Sequence, residues 1–309
     1  MENQNKPEVT VAVITYNSSR TVLETLESIK AQTYERIRLI ISDDCSTDNT
    51  IKVCEKWIKR NSTRFVSSDI IKVSVNTGIV CNTNRAWDSC QSDYLKMIAG
   101  DDYLMPDCIE NNISFMLNKP SSVVVFSKMI FFGSKKGVKR YCSYFDDSFY
   151  SFFSLSVDEQ HKRLVEVANC LPAPTSFFHI SKVKELGLRF DERIPLMEDW
   201  PMWINLTERG IRMDFFDKDT VCYRVGRGGL TSDRRYVGDN FYKSLLYFRF
   251  YYQFDYAYIK DKESAVRSFV EEHVSFYHEM IRRVVKSPEY RVGRFLLSPW
   301  RFIQKLFSR

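Results

Sequence analysis

Ile37-Arg-Leu-Ile-Ile-Ser-Asp-Asp-Cys-Ser-Thr-Asp48 opens as a short apolar, β-branched run and stops abruptly in an acidic, hydroxyl-rich loop. Such a run bounded by polar residues reads as a buried strand entering a loop. Residues 9–15 repeat the pattern upstream, ending in the polar Tyr16-Asn17-Ser18-Ser19. Apolar positions at helical spacing follow each run. After the first come Val22, Leu23, Leu26 and Ile29, with Ser18 or Ser19 as the expected cap; after the second, Ile51, Cys54, Trp57 and Ile58. A third strand is expected over 70–75, a helix over 83–89, and a fourth strand over 94–98 that ends at Ala99-Gly-Asp-Asp102. Alternating strands and helices predict an α/β fold, a Rossmann-like, mostly parallel sheet with right-handed crossovers. Two of its strands stop at paired aspartates, at the carboxyl ends where open α/β sheets bind ligands.

Beyond residue 120 the texture changes. Residues 121–132 form a β-rich run, 145–153 an aromatic stretch, 171–175 a stiff Pro-containing loop, and 197–210 a helix. Residues 241–258 are dense in Phe and Tyr, and 262–285 are expected to form a long helix. The 309 residues, 44% hydrophobic and 27% charged, suit one large α/β domain with an extension and exclude a disordered or collagenous chain. The expected division is 1–238 for the main domain, with a nucleotide-binding half over 9–120 and a second half over 121–238. A helical, aromatic and basic extension then covers 239–309.

The net charge of +6 is unevenly placed. From Met280 to Arg309 eight Lys or Arg face the single acid Glu289, a net +7, so the preceding residues sum to −1. A nucleic-acid partner is therefore not expected, since it needs basic residues over a whole binding face. After Ser298-Pro299, a helix start, Arg301, Lys305 and Arg309 recur on one side beside Trp300, Ile303, Leu306 and Phe307. That pattern suits either an anionic membrane interface or a helix packed on the domain. Met1 to Glu8 lacks the apolar core of a signal peptide, and the eight cysteines show no C-x-x-C or zinc spacing. A cytoplasmic protein with reduced thiols, peripheral at the inner face of the plasma membrane, is the expectation.

Taken singly, Asp43-Asp44 and Asp101-Asp102 fit turns, Asp48 fits a helix cap, and Glu198-Asp199 fits an acidic first helical turn. Taken together they ask for a cation, because carboxylates gathered on one rim repel. Hard Mg²⁺ or Mn²⁺ takes such oxygens and shares its shell with a diphosphate. No Gly-x-x-x-x-Gly-Lys loop, Gly-x-Gly-x-x-Gly turn or Gly-x-Ser-x-Gly elbow is present, which argues against ATPase, dinucleotide-binding and common hydrolase readings.

The ordered motifs resemble the family 2 glycosyltransferases of the GT-A fold, in particular bacterial enzymes of O-antigen, capsule and exopolysaccharide synthesis. They run from Val11-Ala-Val-Ile-Thr-Tyr-Asn17 through Gln32-Thr-Tyr34, Ile41-Ser-Asp-Asp-Cys-Ser-Thr-Asp48, Asn76-Thr-Gly78 and Asn84-Arg85. Ala99-Gly-Asp-Asp-Tyr-Leu-Met-Pro106, Pro172-Ala-Pro-Thr175, Phe190-Asp-Glu192 and Glu198-Asp-Trp200 complete the set. The resemblance implies a nucleotide-sugar donor met by Thr15, Tyr16, Asn17, Asp44, Asn84, Asp101 and Asp102, and a divalent ion on Asp101 and Asp102. It implies Asp199 as general base with Glu198 beside it, and a single inverting displacement onto a lipid-linked or oligosaccharide hydroxyl. Tyr223-Arg-Val-Gly-Arg-Gly-Gly229 lies where relatives carry a mobile loop, which assigns Arg224 and Arg227 to phosphate oxygens. Two positions depart from the family pattern: Ala99 replaces the first acid of the metal segment, and Thr83 replaces an Arg before Asn84. A nucleotide-sugar-forming nucleotidyltransferase and a non-catalytic nucleotide- or carbohydrate-binding protein are the alternatives.

Overall fold

The computed structural model describes residues 6–140 and 144–226 together with 244, 245, 247, 248, 251 and 252. Arg227, the 239–309 extension apart from those few positions, the helix expected over 262–285 and the basic terminus lie outside the described residues. So does the boundary expected near 238.

The first half alternates as expected: β1 (Val9–Thr15), α1 (Val22–Lys30), β2 (Ile37–Asp43), α2 (Thr50–Asn61), β3 (Ser67–Lys72), α3 (Ile79–Ser89), β4 (Tyr94–Ala99), β5 (Tyr103–Leu104) and α4 (Cys108–Asn118). The second half contains β6 (Val124–Gly133), α5 (Lys135–Arg140), α6 (Asp147–Phe152), α7 (Val157–Glu166), β7 (Phe177–His179), α8 (Ile180–Glu185), α9 (Asp199–Glu208) and β8 (Met213–Val225). One eight-stranded sheet runs in the order β3-β2-β1-β4-β7-β6-β8-β5. The pairs β1/β2, β2/β3, β1/β4 and β6/β8 are parallel, whereas β7 runs antiparallel to both β4 and β6, and β5 antiparallel to β8.

Two apolar clusters cover the two faces. Val11, Val13, Leu39 and Ile41 turn to one, with Leu26 and Trp57, while Ala12, Ile40 and Leu95 turn to the other, with Trp87, Phe178 and Trp203. Burial on both faces is why the parallel strands read as continuous apolar runs.

Chain length explains the curvature of the sheet. Only Gly100, Asp101 and Asp102 separate β4 from β5, a reach of about 14 Å at full extension. Three strands stand between β4 and β5 in the sheet, a spacing of about 19 Å were it flat. The sheet therefore curls, and the Gly100–Asp102 bridge crosses its carboxyl end.

Local boundaries differ from expectation for physical reasons. β3 spans 67–72 instead of 70–75, and Val75 is largely exposed, because the Asn76–Gly78 turn is drawn off the sheet onto Asp44. α3 begins a turn earlier than residue 83, since Gly78 at φ +90° bends the chain and its carbonyl accepts the Asn82 N–H. Leu23 of α1 is exposed, and Thr25 takes the inward position beside Leu26. Ser18 starts α1 through its carbonyl, accepting from the Thr21 and Val22 N–H groups, and not through its side chain. No helix among the described residues is long and apolar enough to cross a membrane.

Candidate active site

Thr15 and Asp43 are register partners, so β1 and β2 release their loops at one level. There the Thr15 hydroxyl donates to Asp43 Oδ2 at 2.8 Å, and the Ser46 N–H and hydroxyl donate to the same carboxylate at 2.8 and 2.6 Å. Asn17, at φ +52°, donates its N–H to Ser46 Oγ and accepts the Thr47 N–H at 2.8 Å. Asp48 accepts the Thr50 and Ser19 N–H groups at 2.9 and 3.1 Å. Although burial acts to raise it, hydrogen bonds from Thr50 and Ser19 hold its carboxyl below the usual range. Asp43, Asn17 and Asp48 thus build the loop, and Tyr16 stands half-exposed on its outside.

Asp44 points the other way. Its N–H donates to the Thr15 carbonyl at 3.0 Å. Its buried carboxylate accepts the Thr77 hydroxyl at 2.7 Å, the Gly78 N–H at 2.7 Å and Arg85 Nη2 at 2.6 Å. Burial opposes ionisation here too, but the bonds from Thr77, Arg85 and Gly78 prevail and lower the pKa. Asn84, one residue before Arg85, faces elsewhere. Its amide donates to the Phe190 carbonyl at 3.0 Å and to Glu192 Oε1 at 2.9 Å, and it accepts the Phe190 N–H at 3.0 Å. It ties α3 to the second half of the chain.

The acidic bridge between β4 and β5 sits against the first loop. Gly100 donates its N–H to the Ile14 carbonyl at 2.9 Å, and a Cβ at Gly100 would stand 2.8 Å from Thr15 Cγ2. Asp102 Oδ1 accepts the Arg224 N–H at 2.7 Å, and Arg224 Nε donates to the Asp101 carbonyl at 2.8 Å. The Arg224 guanidinium also pairs with Glu24 and lies 4.4 Å from the centre of the Phe132 ring. Burial raises the Asp101 pKa, and burial together with the Asp101 charge pushes Asp102 up to about 8. These are two adjacent hard-oxygen ligands held against their preference for the charged form, which a cation would relieve. The pair fits a divalent ion. No group of three or more His, Cys, Asp or Glu side chains that could hold a metal occurs among the described residues.

Glu198 and Asp199 form a separate constellation at the start of α9. Asp199 Oδ2 accepts Asn169 Nδ2 at 2.9 Å. Trp200 donates its indole N–H to the Leu164 carbonyl at 2.8 Å, and its ring centre lies 4.2 Å from that of Phe248. Burial raises both carboxyls, Glu198 to about 7 with the Asp199 charge adding to the effect. Asn169, Thr77 and Glu24 carry no role in the sequence reading. Asn169 lies 30 positions from its partner and Glu24 200 from Arg224, so no local pattern betrays either pair.

A Rossmann-like sheet continued by a mixed, curled half, with its acids on the carboxyl rim, is the architecture of the GT-A class of nucleotide-sugar enzymes. The family model described as Glycosyl transferase family 2 matches residues 10–171, and the chain belongs to that family. EpsE of Bacillus subtilis is 26% identical over 219 residues, covering 67% of this chain and 69% of that one. WfaP of Escherichia coli, named a UDP-Glc:alpha-D-GlcNAc-diphosphoundecaprenol beta-1,3-glucosyltransferase, is 25% identical over 226 residues, covering 73% of this chain and 80% of the relative. Among solved structures, Staphylococcus aureus TarS in complex with UDP-GlcNAc superposes with a TM-score of 0.58 at 21% identity, over 87% of this chain and 73% of that one. The mannosyltransferase PcManGT of Pyrobaculum calidifontis, in complex with GDP-Man and Mn²⁺, has a TM-score of 0.55 at 15% identity, over 94% and 84%. The protein is a glycosyltransferase.

Proposed function

We propose that the enzyme moves a sugar from a UDP-sugar to a hydroxyl of a polyprenyl-linked or oligosaccharide acceptor during assembly of a surface polysaccharide such as O-antigen or capsule, inverting the anomeric centre. The observation that carries this reading is the Asp101-Asp102 pair, short of hydrogen-bond donors and crowded by Arg224 at the carboxyl end of β4. The UDP-glucose named for WfaP and the UDP-GlcNAc bound to TarS support the donor class, and the diphosphoundecaprenol named for WfaP supports the acceptor class.

In this reading Thr15, Tyr16, Asn17 and Asp44 form the wall that meets the nucleotide, with Asn84 bracing it from α3. Arg224, together with Arg227, approaches the diphosphate. Asp101 and Asp102 would hold Mn²⁺ or Mg²⁺, which when bound supplies positive charge to offset the departing diphosphate. With Ala99 in place of a further acid, the remaining ligands fall to the diphosphate and water. Asp199 takes the proton of the acceptor hydroxyl as that oxygen attacks the anomeric carbon in line, and Glu198 beside it tunes the basicity. An α-linked donor then yields a β-glycoside. The basic terminus is assigned to the cytoplasmic membrane face, where a lipid-linked acceptor is anchored.

Calorimetric titration with UDP, with and without Mn²⁺, tests the assignment. Asp101→Ala is expected to lose metal-dependent binding. Asp199→Ala should bind normally and turn over about 10²–10⁴-fold more slowly, the usual range for a lost general base. Metal-independent binding, or an active Asp199→Ala enzyme, would overturn it.

A further inference from the structure

We infer that Asn169 is a positioning residue for Asp199, pinning Oδ2 of the carboxylate so that Oδ1 is the oxygen presented to the acceptor hydroxyl. The inference rests on the reading of Asp199 as general base and extends it to a residue outside the motifs that carry the family resemblance in the sequence.

Asn169 Nδ2 donates to Asp199 Oδ2 at 2.9 Å. The direction of that amide is decided by its other end, because Asn169 Oδ1 accepts the Leu171 N–H at 2.9 Å. A carbonyl oxygen must face an N–H, so the NH2 group must face Asp199, and turning the amide over would break both bonds. The tight Asn169-Cys170-Leu171 turn is therefore a rigid mount for one hydrogen-bond donor. The Asp199 side of the contact is equally fixed. Asp199 opens α9, and the next residue, Trp200, is held by the Leu164 carbonyl and the Phe248 ring.

The Trp200 backbone N–H and the Trp203 indole also favour the charged form of this carboxylate, while Asn169 supplies the side-chain hydrogen bond to Oδ2. With it, one oxygen is occupied and the other has a set direction, which lowers the cost of reaching attack geometry. The same bond favours the charged carboxylate and so works against the burial that raises its pKa. Glu198 is the adjacent titratable group, its own carboxyl raised by burial and by the Asp199 charge. On the adjoining α7, His161 Nδ1 meets Thr207 Oγ1 at 3.0 Å and Arg163 donates to Ser148.

The test is a carboxyl carbon-13 NMR titration of the full chain, comparing wild type, Asn169→Ala and the nearly isosteric Asn169→Asp, with Asp199→Asn to assign the resonance. The Asp199 midpoint should rise by about one pH unit in Asn169→Ala, the scale of one lost hydrogen bond to a charged form, and further in Asn169→Asp, where a like charge replaces the donor. UDP binding with Mn²⁺ should be unchanged in both variants. A midpoint that stays in place in both variants, or a loss of UDP binding that parallels any shift, overturns the inference. The underlying reading fails separately: if Asp199→Asn releases UDP from a panel of UDP-sugars at the wild-type rate, Asp199 is not the base, whatever Asn169 does.

Discussion

Lys96 lies wholly buried on β4, where its ammonium donates to the Pro174 carbonyl at 2.6 Å and the Ser176 carbonyl at 3.2 Å. Burial pulls its pKa down to about 8, with Cys108 and Asp102 acting in the opposite sense. Between about 8 and the 10.5 of an ordinary lysine the folded chain binds fewer protons than the unfolded one. The penalty on stability is therefore full below about pH 8 and is relieved as pH rises toward 10.5. Urea unfolding of wild type against Lys96→Met should show the difference moving in favour of wild type by about 2 kcal/mol between roughly pH 8 and 10, since a tenfold change in proton affinity is worth about 1.4 kcal/mol. A flat difference would mean that the folded lysine keeps its ordinary proton affinity and that burial imposes no penalty on its charge. Gly100 makes a second residue-level prediction. A methyl there drives into Thr15 Cγ2 and Ser18, so Gly100→Ala should weaken metal-dependent UDP binding in calorimetry while leaving α9 and its acids untouched.

At the scale of elements, α9 is held by rings from a distant part of the chain. Phe248, fully buried, packs on Trp200 and on Tyr252, whose hydroxyl donates to Asp191 at 2.7 Å. Phe248→Ala should cost about 3–5 kcal/mol in urea unfolding, as for other large-to-small core changes. Turnover should fall with it, while UDP affinity holds. This packing was legible only in part. The strands β1, β2 and β4, with the acids that end the last two, could be read because short apolar runs between polar loops need no distant information. The first turn of α3 could not, since it depends on Gly78 and on Asp44 capturing the Thr77 and Gly78 N–H groups across 33 and 34 positions. β8 is not legible as a strand because Asp217, Lys218 and Asp219 interrupt its pattern on an exposed stretch. The motif points Asn84 toward the donor, and the fold adds a tie that no local pattern shows, its amide meeting Phe190 and Glu192. Position along a helix names a residue's neighbours in sequence but not the face it turns to its partners.

Across the whole molecule, charge and curvature carry the consequences. The body is nearly neutral and the last thirty residues hold the +7. If that segment is a membrane contact, the full chain should co-sediment with anionic liposomes, a chain ending at Lys286 should not, and added salt should weaken the binding. Equal binding by the two chains removes the proposal. The curl of the sheet has a different bearing, on how this protein can vary. Gly100, Asp101 and Asp102 reach from β4 to a strand that stands beyond three others. An added residue in this bridge would slacken the tether and let the far edge of the sheet drift, carrying Arg224 and Asp102 away from Gly100 and Thr15. This crossing is closed to insertion, so diversification toward other sugars has to come through loops whose length the sheet does not dictate.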